Sequence, residues 1–125
     1  MAKLAVFALS LLVANAAFAQ SGEQMTNEQL VQLTAKGVTL KLGGEGRGYA
    51  GSLKLSKDGK GKGSATTDGG GKVSLSGTWK ISDGMFCRTW KEHNKGKEVC
   101  ETWFLTSSNS VEVFNGKEKI GFNSW

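Results

Sequence analysis

The sequence predicts a mainly β protein, namely a small antiparallel barrel or sandwich of about eight strands with one short N-terminal α-helix. Two observations carry this prediction. Beyond Gly37, apolar and polar residues alternate with a period of two in most segments, which is the pattern of strands with one buried face. Glycine, aspartate and asparagine interrupt the alternation at intervals of about 8 to 12 residues, as turns do in antiparallel meanders.

The chain begins with the three parts of a secretion signal. Lys3 is the positive residue, residues 4–14 form a largely apolar run, and AFA at 17–19 fits the small-x-small cleavage site. The apolar run is shorter than the roughly 20 residues that a membrane helix needs. We expect residues 1–19 to be a cleaved signal peptide, residues 20–125 to form a single β-domain, and the protein to be periplasmic or secreted, without a membrane span.

The helix is predicted from a capping box just before the first strand. In Thr26-Asn27-Glu28-Gln29, the Thr26 hydroxyl can accept from the backbone amide of Gln29, whose side chain can reach back. Leu30 and Leu33 form the apolar stripe, and Gly37 ends the helix. We expect about three helical turns. The strands then follow in order, at 38–42, 48–56, 61–67, 73–81, 85–92, 98–107, 110–115 and 118–123.

The segment GRGYAG at 46–51 matches the spacing of a dinucleotide-binding loop, G-x-G-x-x-G. Such a loop needs a following helix, whose N-terminal amides face the pyrophosphate. Residues 52–63 instead alternate as a strand and reach a turn, so we expect no nucleotide. Of the 18 glycines, 11 lie between Gly43 and Gly71; strongly bent strands are favoured here over a flexible loop that grips phosphate.

Cys87 and Cys100 are the only cysteines, and secretion would place them in an oxidising compartment. A hairpin centred on His93-Asn94 puts the two cysteines directly opposite each other, at a spacing that a disulfide can bridge. We predict this disulfide and expect no metal site, because His93 is the single histidine. We also expect no other cofactor.

The opposite face of this hairpin holds our candidate binding residues. Arg88 and Glu101 are diagonal neighbours in the hairpin register, a position that allows an ion pair between them. Tryptophans on this face and on the preceding strand can either line a ligand cavity or fill the core. The candidate binding face consists of Trp79, Arg88, Trp90 and Trp103.

A second candidate surface is basic. With Lys3 removed, 15 of the 16 Lys and Arg remain against 11 Asp and Glu, a net charge of +4 that suits either an anionic partner or an ordinary soluble protein. The lysines lie in a segment whose one aromatic residue is Tyr49, so we do not expect nucleic acid. The candidate loop for an anionic partner, or simply a solvated charged loop, contains Lys54, Lys57, Lys60, Lys62 and Lys72.

The segment GTWKISDG at 77–84, followed by Cys-x-x-Trp and a second cysteine, resembles a family of small secreted proteobacterial proteins, the domain of unknown function 995 family. The resemblance extends from about Leu30 to Gly121. It implies a periplasmic all-β protein and no particular activity.

Function is predicted only as a class. No pair of carboxylates, nucleophile elbow or histidine-based pair stands at a recognisable spacing, so we expect no enzyme. A calycin-like barrel of eight strands just holds one small ligand, unless side chains fill its interior. A small-ligand or lipid carrier is therefore the first hypothesis. An envelope module that binds anionic polysaccharide or lipopolysaccharide, or an inhibitor of a periplasmic or host enzyme, is the alternative.

Overall fold

The computed structural model describes residues 22–125 as a closed antiparallel barrel in which each strand pairs with the next and β8 returns to β1. The predicted signal peptide lies outside these residues. No helix in the described part has the length and apolar character needed to cross a membrane. The elements are α1 (Asn27–Thr34), β1 (Val38–Gly44), β2 (Tyr49–Leu55), β3 (Lys60–Thr67), β4 (Lys72–Ser82), β5 (Met85–Trp90), a 3₁₀ turn (Asn94–Gly96), β6 (Val99–Ser107), β7 (Ser110–Asn115) and β8 (Glu118–Ser124).

The observed barrel confirms the predicted fold class and shows that, of the two predicted architectures, the protein forms the barrel and not the sandwich. All eight predicted strands are present, with ends that differ by at most two residues. Both hydrogen bonds of the capping box form between Thr26 and Gln29. The helix is shorter than predicted, however, because it ends after eight residues and the chain must turn at Gly37, which has a φ of +82°, to enter β1.

Helix α1 closes one end of the barrel. The Asn27 side chain accepts a hydrogen bond from the backbone of Gly84 in the β4–β5 turn, and Leu30 is fully buried in the core. Upstream of the helix, the backbone amide of Met25 donates to the carbonyl of Trp103 in β6. The other end, where the β1–β2, β3–β4, β5–β6 and β7–β8 connections lie, is left without such a cover by residues 22–125.

The glycine-rich segment forms the end of β1, strands β2 and β3 and the turns beside them. A β-carbon at Gly63 would overlap the carbonyl oxygen of Ser52 on β2, and one at Gly51 would overlap the carbonyl of Ser64 on β3. Glycine at these positions lets β2 and β3 coil closely together. In GRGYAG, Gly46 and Gly48 have positive φ angles in the β1–β2 turn, and strand β2 follows where a dinucleotide loop would have its helix.

The predicted disulfide is present and lies at the boundary, or seam, between the paired strands β5 and β6. Cys87 pairs with Cys100 in the predicted register, and their Cα atoms are 3.9 Å apart. Strands β5 and β6 pair over only three positions, and β1 and β8 over two, whereas β2 and β3 pair over seven. The disulfide thus crosslinks one of the two least extensive strand pairs.

Candidate ligand-binding site

A cavity of about 230 Å³ occupies the interior of the barrel towards the end opposite α1. Its position follows from the alternation of the strands, because residues from seven of the eight strands and from the β5–β6 loop converge there. Apolar residues form the larger part of its wall, and six polar residues complete it, a mixture that small-molecule sites also show. The lining residues that matter below are Leu42, Leu53, Leu75, Trp90 and Val113 among the apolar ones, and Tyr49, Arg88, His93, Asn94 and Glu101 among the polar ones.

An ion pair lies in this wall. The Nε atom of Arg88 is 2.8 Å from the Oε2 atom of Glu101, and both side chains are about nine-tenths buried, at 11% and 9% exposure. Arg88 pairs in register with Val99, so Glu101 is its diagonal neighbour, as the hairpin register predicted. A buried arginine with a carboxylate partner avoids the cost of an isolated buried charge.

The β5–β6 loop supplies a second partner for Arg88. The Nη1 atom donates a hydrogen bond to Oδ1 of Asn94, at 2.6 Å. Asn94 has a φ of +56°, a left-handed conformation that asparagine adopts more readily than most residues. The backbone conformation of the loop and the position of the guanidinium group are therefore linked.

Glu101 is held by donors on both oxygens. Its Oε1 atom accepts from the indole Nε1 of Trp103, at 3.0 Å, and its Oε2 atom accepts from Arg88. Burial raises the pKa of Glu101 above its ordinary value, and the hydrogen bond from Trp103 and the charge of Arg88 only partly offset this effect. The interior therefore holds a carboxyl group that takes up a proton more readily than an exposed glutamate.

Arg88 retains donors that its protein neighbours do not use. A guanidinium group has five N–H donors, and within residues 22–125 the hydrogen bonds of Arg88 are those from Nε to Glu101 and from Nη1 to Asn94. Its Nη2 atom therefore has no hydrogen-bond partner in this part of the chain. Because Arg88 lines the cavity, the free donors are available to a molecule bound there.

The rim of the cavity is tied to β4. The Nε2 atom of His93 donates to the carbonyl of Ser74, at 3.0 Å, and the carboxylate of Glu92 accepts from both the backbone and the hydroxyl of Ser76. These bonds to Ser76 lower the pKa of Glu92. They hold the first residues of the β5–β6 loop beside the opening.

Tyr49 spans the weak seam between β1 and β8. Its hydroxyl accepts a hydrogen bond from the backbone amide of Phe122, at 2.9 Å. Room for the tyrosine exists because two neighbours are glycine: a β-carbon would lie 2.9 Å from the ring at Gly43 and 2.7 Å from the hydroxyl at Gly121. Tyr49 thus satisfies a backbone donor of β8 while forming part of the cavity wall.

The four residues of the predicted binding face do not form one surface, because they lie in different environments of the barrel. Arg88 and Trp90 line the cavity, and the Trp90 indole packs over Gly61, where a β-carbon would be 2.7 Å from the ring. Trp103 is fully buried outside the cavity wall and contacts it through Glu101. Trp79 stacks on Phe86 with a centroid distance of 6.0 Å, and its indole donates to the carbonyl of Lys60.

The five lysines of the predicted basic loop are exposed, but four of them lie on strands. Lys54 is on β2, Lys60 and Lys62 are on β3, Lys72 begins β4, and only Lys57 lies in a turn. Lys54 and Lys62 stand directly opposite each other in the register. The ion pairs within residues 22–125 involve none of the five; they are Lys80–Glu98, Arg88–Glu101 and Lys119–Glu112.

Sequence reasoning missed Tyr49, His93 and Asn94 as lining residues. The position of the β5–β6 loop carried a usable signal, since a loop that continues the strand bearing Arg88 must lie at the same end of the barrel. The contact of Tyr49 with Phe122 joins residues 73 apart in the chain, so no local sequence pattern predicts this contact.

One cluster of potential metal-ligating groups occurs among residues 22–125, formed by Cys87, Glu98 and Cys100. The two sulfurs are bonded to each other, so they are not the thiolates that a metal would need.

Comparisons with family models, curated proteins and solved structures find no match to the chain. The resemblance to the domain of unknown function 995 family remains a prediction.

Proposed function

We propose that this protein is a secreted, non-catalytic binding protein that carries a small ligand in the open end of its barrel. The observation that carries the proposal is the cavity itself, whose apolar wall contains one arginine with unused donors. Small-molecule sites combine these two features, because apolar surface provides binding energy and a few polar groups fix orientation.

The size of the cavity favours a small ligand over a long-chain lipid. Its volume of about 230 Å³ is below the range of roughly 300 to 1,000 Å³ that is typical of sites for drug-sized molecules. Of the two carriers that the sequence suggests, a small-ligand carrier is therefore our proposal.

A binding role is also supported by how the polar groups are engaged. A catalytic acid or base must be within reach of a proton on the substrate. The Nε2 atom of His93, the single histidine, donates to a backbone carbonyl, so it is not free to accept a proton from a substrate. Secretion is supported by the predicted signal and by the disulfide between Cys87 and Cys100, since disulfides persist in oxidising compartments.

Native mass spectrometry of protein purified gently from its own cell envelope tests the proposal. We expect an additional mass that is lost on unfolding. Leu75→Trp should abolish it by filling the cavity, whereas Ser74→Trp places the same side chain on the exposed face of the same strand and should retain it. An apo mass for the wild type, or equal retention by both variants, would contradict a ligand site in the barrel.

A basic surface that binds an anionic envelope polysaccharide or lipopolysaccharide is a second candidate. The specific observation in its favour is the pair Lys54 and Lys62, which are opposite each other on neighbouring strands without an ion-pair partner among residues 22–125. Like charges in such positions repel, and an anionic partner would relieve the repulsion.

This second candidate has a matched test. The triple variant Lys54→Gln/Lys57→Gln/Lys62→Gln should lose association with isolated envelope fractions, whereas Lys95→Gln/Lys97→Gln/Lys117→Gln removes the same charge elsewhere and should retain it. Equal association of the two variants would exclude the basic surface as the site.

A further inference from the structure

The cavity contains one strong cation and one carboxyl group, and their charges cancel. The titratable side chains of its lining are Tyr49, Arg88, His93 and Glu101. Arg88 and Glu101 form the buried ion pair. His93 lies on the rim, where its Nε2 atom faces the carbonyl of Ser74, and the Tyr49 hydroxyl is bonded to the backbone of Phe122.

The unused donors of Arg88 favour an oxyanion as the ligand group. A guanidinium group presents its N–H donors as a planar fork that matches both oxygens of a carboxylate. Two of the five donors are used by Glu101 and Asn94 within the described part of the chain. The remaining donors on Nη1 and Nη2 are those that a carboxylate in the cavity would accept.

An anion at Arg88 would leave the site with a net negative charge, because Glu101 already neutralises the guanidinium. Burying an unbalanced charge is costly unless a group changes its protonation state. Glu101 is the group best placed to do so, since it contacts Arg88 directly and burial favours its neutral form. Its Oε1 atom can keep the bond from Trp103 when Oε2 carries the proton.

We propose that the cavity binds a small organic carboxylate against Arg88, and that Glu101 takes up one proton from solvent as the carboxylate binds. The proton adds to Oε2, so Glu101 becomes neutral while Arg88 keeps its positive charge, which then balances the charge of the ligand. The apolar part of the ligand packs against Leu53, Leu75 and Trp90. This inference rests on the proposed ligand site and specifies what the site recognises.

Matched carboxylates and amides test the inference by titration calorimetry. The probe pairs are benzoate with benzamide and 4-methylpentanoate with 4-methylpentanamide, which have nearly equal shapes and differ in charge. Binding is measured between about pH 6 and pH 8, where the free acids are ionised, in two buffers of different ionisation enthalpy so that proton uptake is counted.

We expect the carboxylates to bind more tightly than the amides at the acid end. Their affinity should fall as pH rises, by up to about tenfold per pH unit, the limit for one proton taken up per ligand. Proton uptake should approach one per carboxylate, and the affinity of the amides should not depend on pH. Amides that bind as tightly as carboxylates, or carboxylates that bind without proton uptake, would overturn the inference.

Two variants assign the proton and the anion contact. In Glu101→Gln the pH dependence of carboxylate binding should disappear, and at the alkaline end the variant should bind more tightly than wild type because Arg88 has lost its competing anion. Arg88→Met/Glu101→Gln removes both charges, so no unpaired one remains buried, and it should no longer distinguish carboxylates from amides. A pH dependence that persists in Glu101→Gln but is lost in His93→Gln would overturn the assignment to Glu101.

The outcomes separate this inference from the proposed function. If amides and carboxylates bind equally and Leu75→Trp blocks both, the ligand site stands and the proton-coupled carboxylate is wrong. If no probe binds and the native protein carries no ligand, both proposals fail.

Discussion

The Nε atom of Arg88 and the Oε2 atom of Glu101 are 2.8 Å apart inside the barrel, while a disulfide joins their chain neighbours Cys87 and Cys100. Successive residues of a strand point to opposite faces of the sheet. The same stretch of the β5–β6 hairpin therefore carries a covalent link on one face and an ion pair on the other. Because this seam contains only three paired positions, the disulfide holds the two charged groups of the cavity in register.

Glu101→Gln should change how stability depends on pH. The raised pKa of Glu101 means that the folded protein binds the proton more tightly than the unfolded chain. Its contribution to stability is fully present below the ordinary value of 4.5 and is lost as pH rises through the folded pKa. The free energy of unfolding of wild type minus that of Glu101→Gln, measured in urea, should therefore decrease over this range. A constant difference would contradict the raised pKa.

Removal of the disulfide should destabilise the barrel. The two cysteines are separated by 13 residues, and closing a loop of that length contributes about 3 kcal/mol on the chain-entropy model. We expect Cys87→Ala/Cys100→Ala to lose about this much in urea unfolding and to exchange the amide hydrogens of β5 faster than those of β2. Wild type treated with reductant is the control and should behave in the same way. Unchanged stability in both would show that the seam does not depend on the crosslink.

Helix α1 should contribute to stability mainly through its buried face. Leu30 has no exposed surface, whereas the adjacent Val31 is 45% exposed. Leu30→Ala should cost about 2 to 5 kcal/mol, as buried leucines do, and Val31→Ala should remain within about 0.5 kcal/mol of wild type. Thermal and urea unfolding of the two variants measure the difference. Similar values would mean that the helix does not seal the core.

The coiling of β2 against β3 should depend on Gly63. A β-carbon there would overlap the backbone of Ser52, while a β-carbon at Gly69 would meet no other heavy atom within 4 Å. Gly63→Ala should cost about 1 to 3 kcal/mol, the usual range for an overpacked site. Gly69→Ala should be neutral or slightly stabilising, because it only restricts the unfolded chain. Equal stabilities would contradict the close approach of the two strands.

The hydroxyl of Tyr49 should stabilise the β1–β8 seam. Tyr49→Phe removes the acceptor of the Phe122 amide and should cost about 1 kcal/mol, or more if water does not replace it. Hydrogen exchange at Phe122 should accelerate more than exchange in β3, which keeps all its pairing partners. Unchanged protection at Phe122 would indicate that the hydroxyl is dispensable.

The elements that the sequence predicted well are those set by local interactions. Period-two alternation identifies β4, because each residue follows its own neighbour to the opposite face. The capping box of Thr26 and Gln29 involves four consecutive residues, and the register of Cys87 with Cys100 depends on one hairpin. The excess helical length in the prediction has a different cause, since the end of α1 depends on where the chain must enter β1.

The sequence by itself therefore determined an antiparallel β protein, its strand order and its crosslink, because these follow from neighbours along the chain. Only the tertiary structure decided that the strands close into a barrel and that Tyr49 contacts Phe122. It also decided that Trp103 is fully buried, that Trp79 packs partly buried against the core, and that the buried Trp90 lines a cavity. The physical reason is that the space between opposite walls depends on the sizes of side chains brought together from distant strands. The alternation of apolar and polar residues within one strand contains no information about the distance between opposite walls of the barrel.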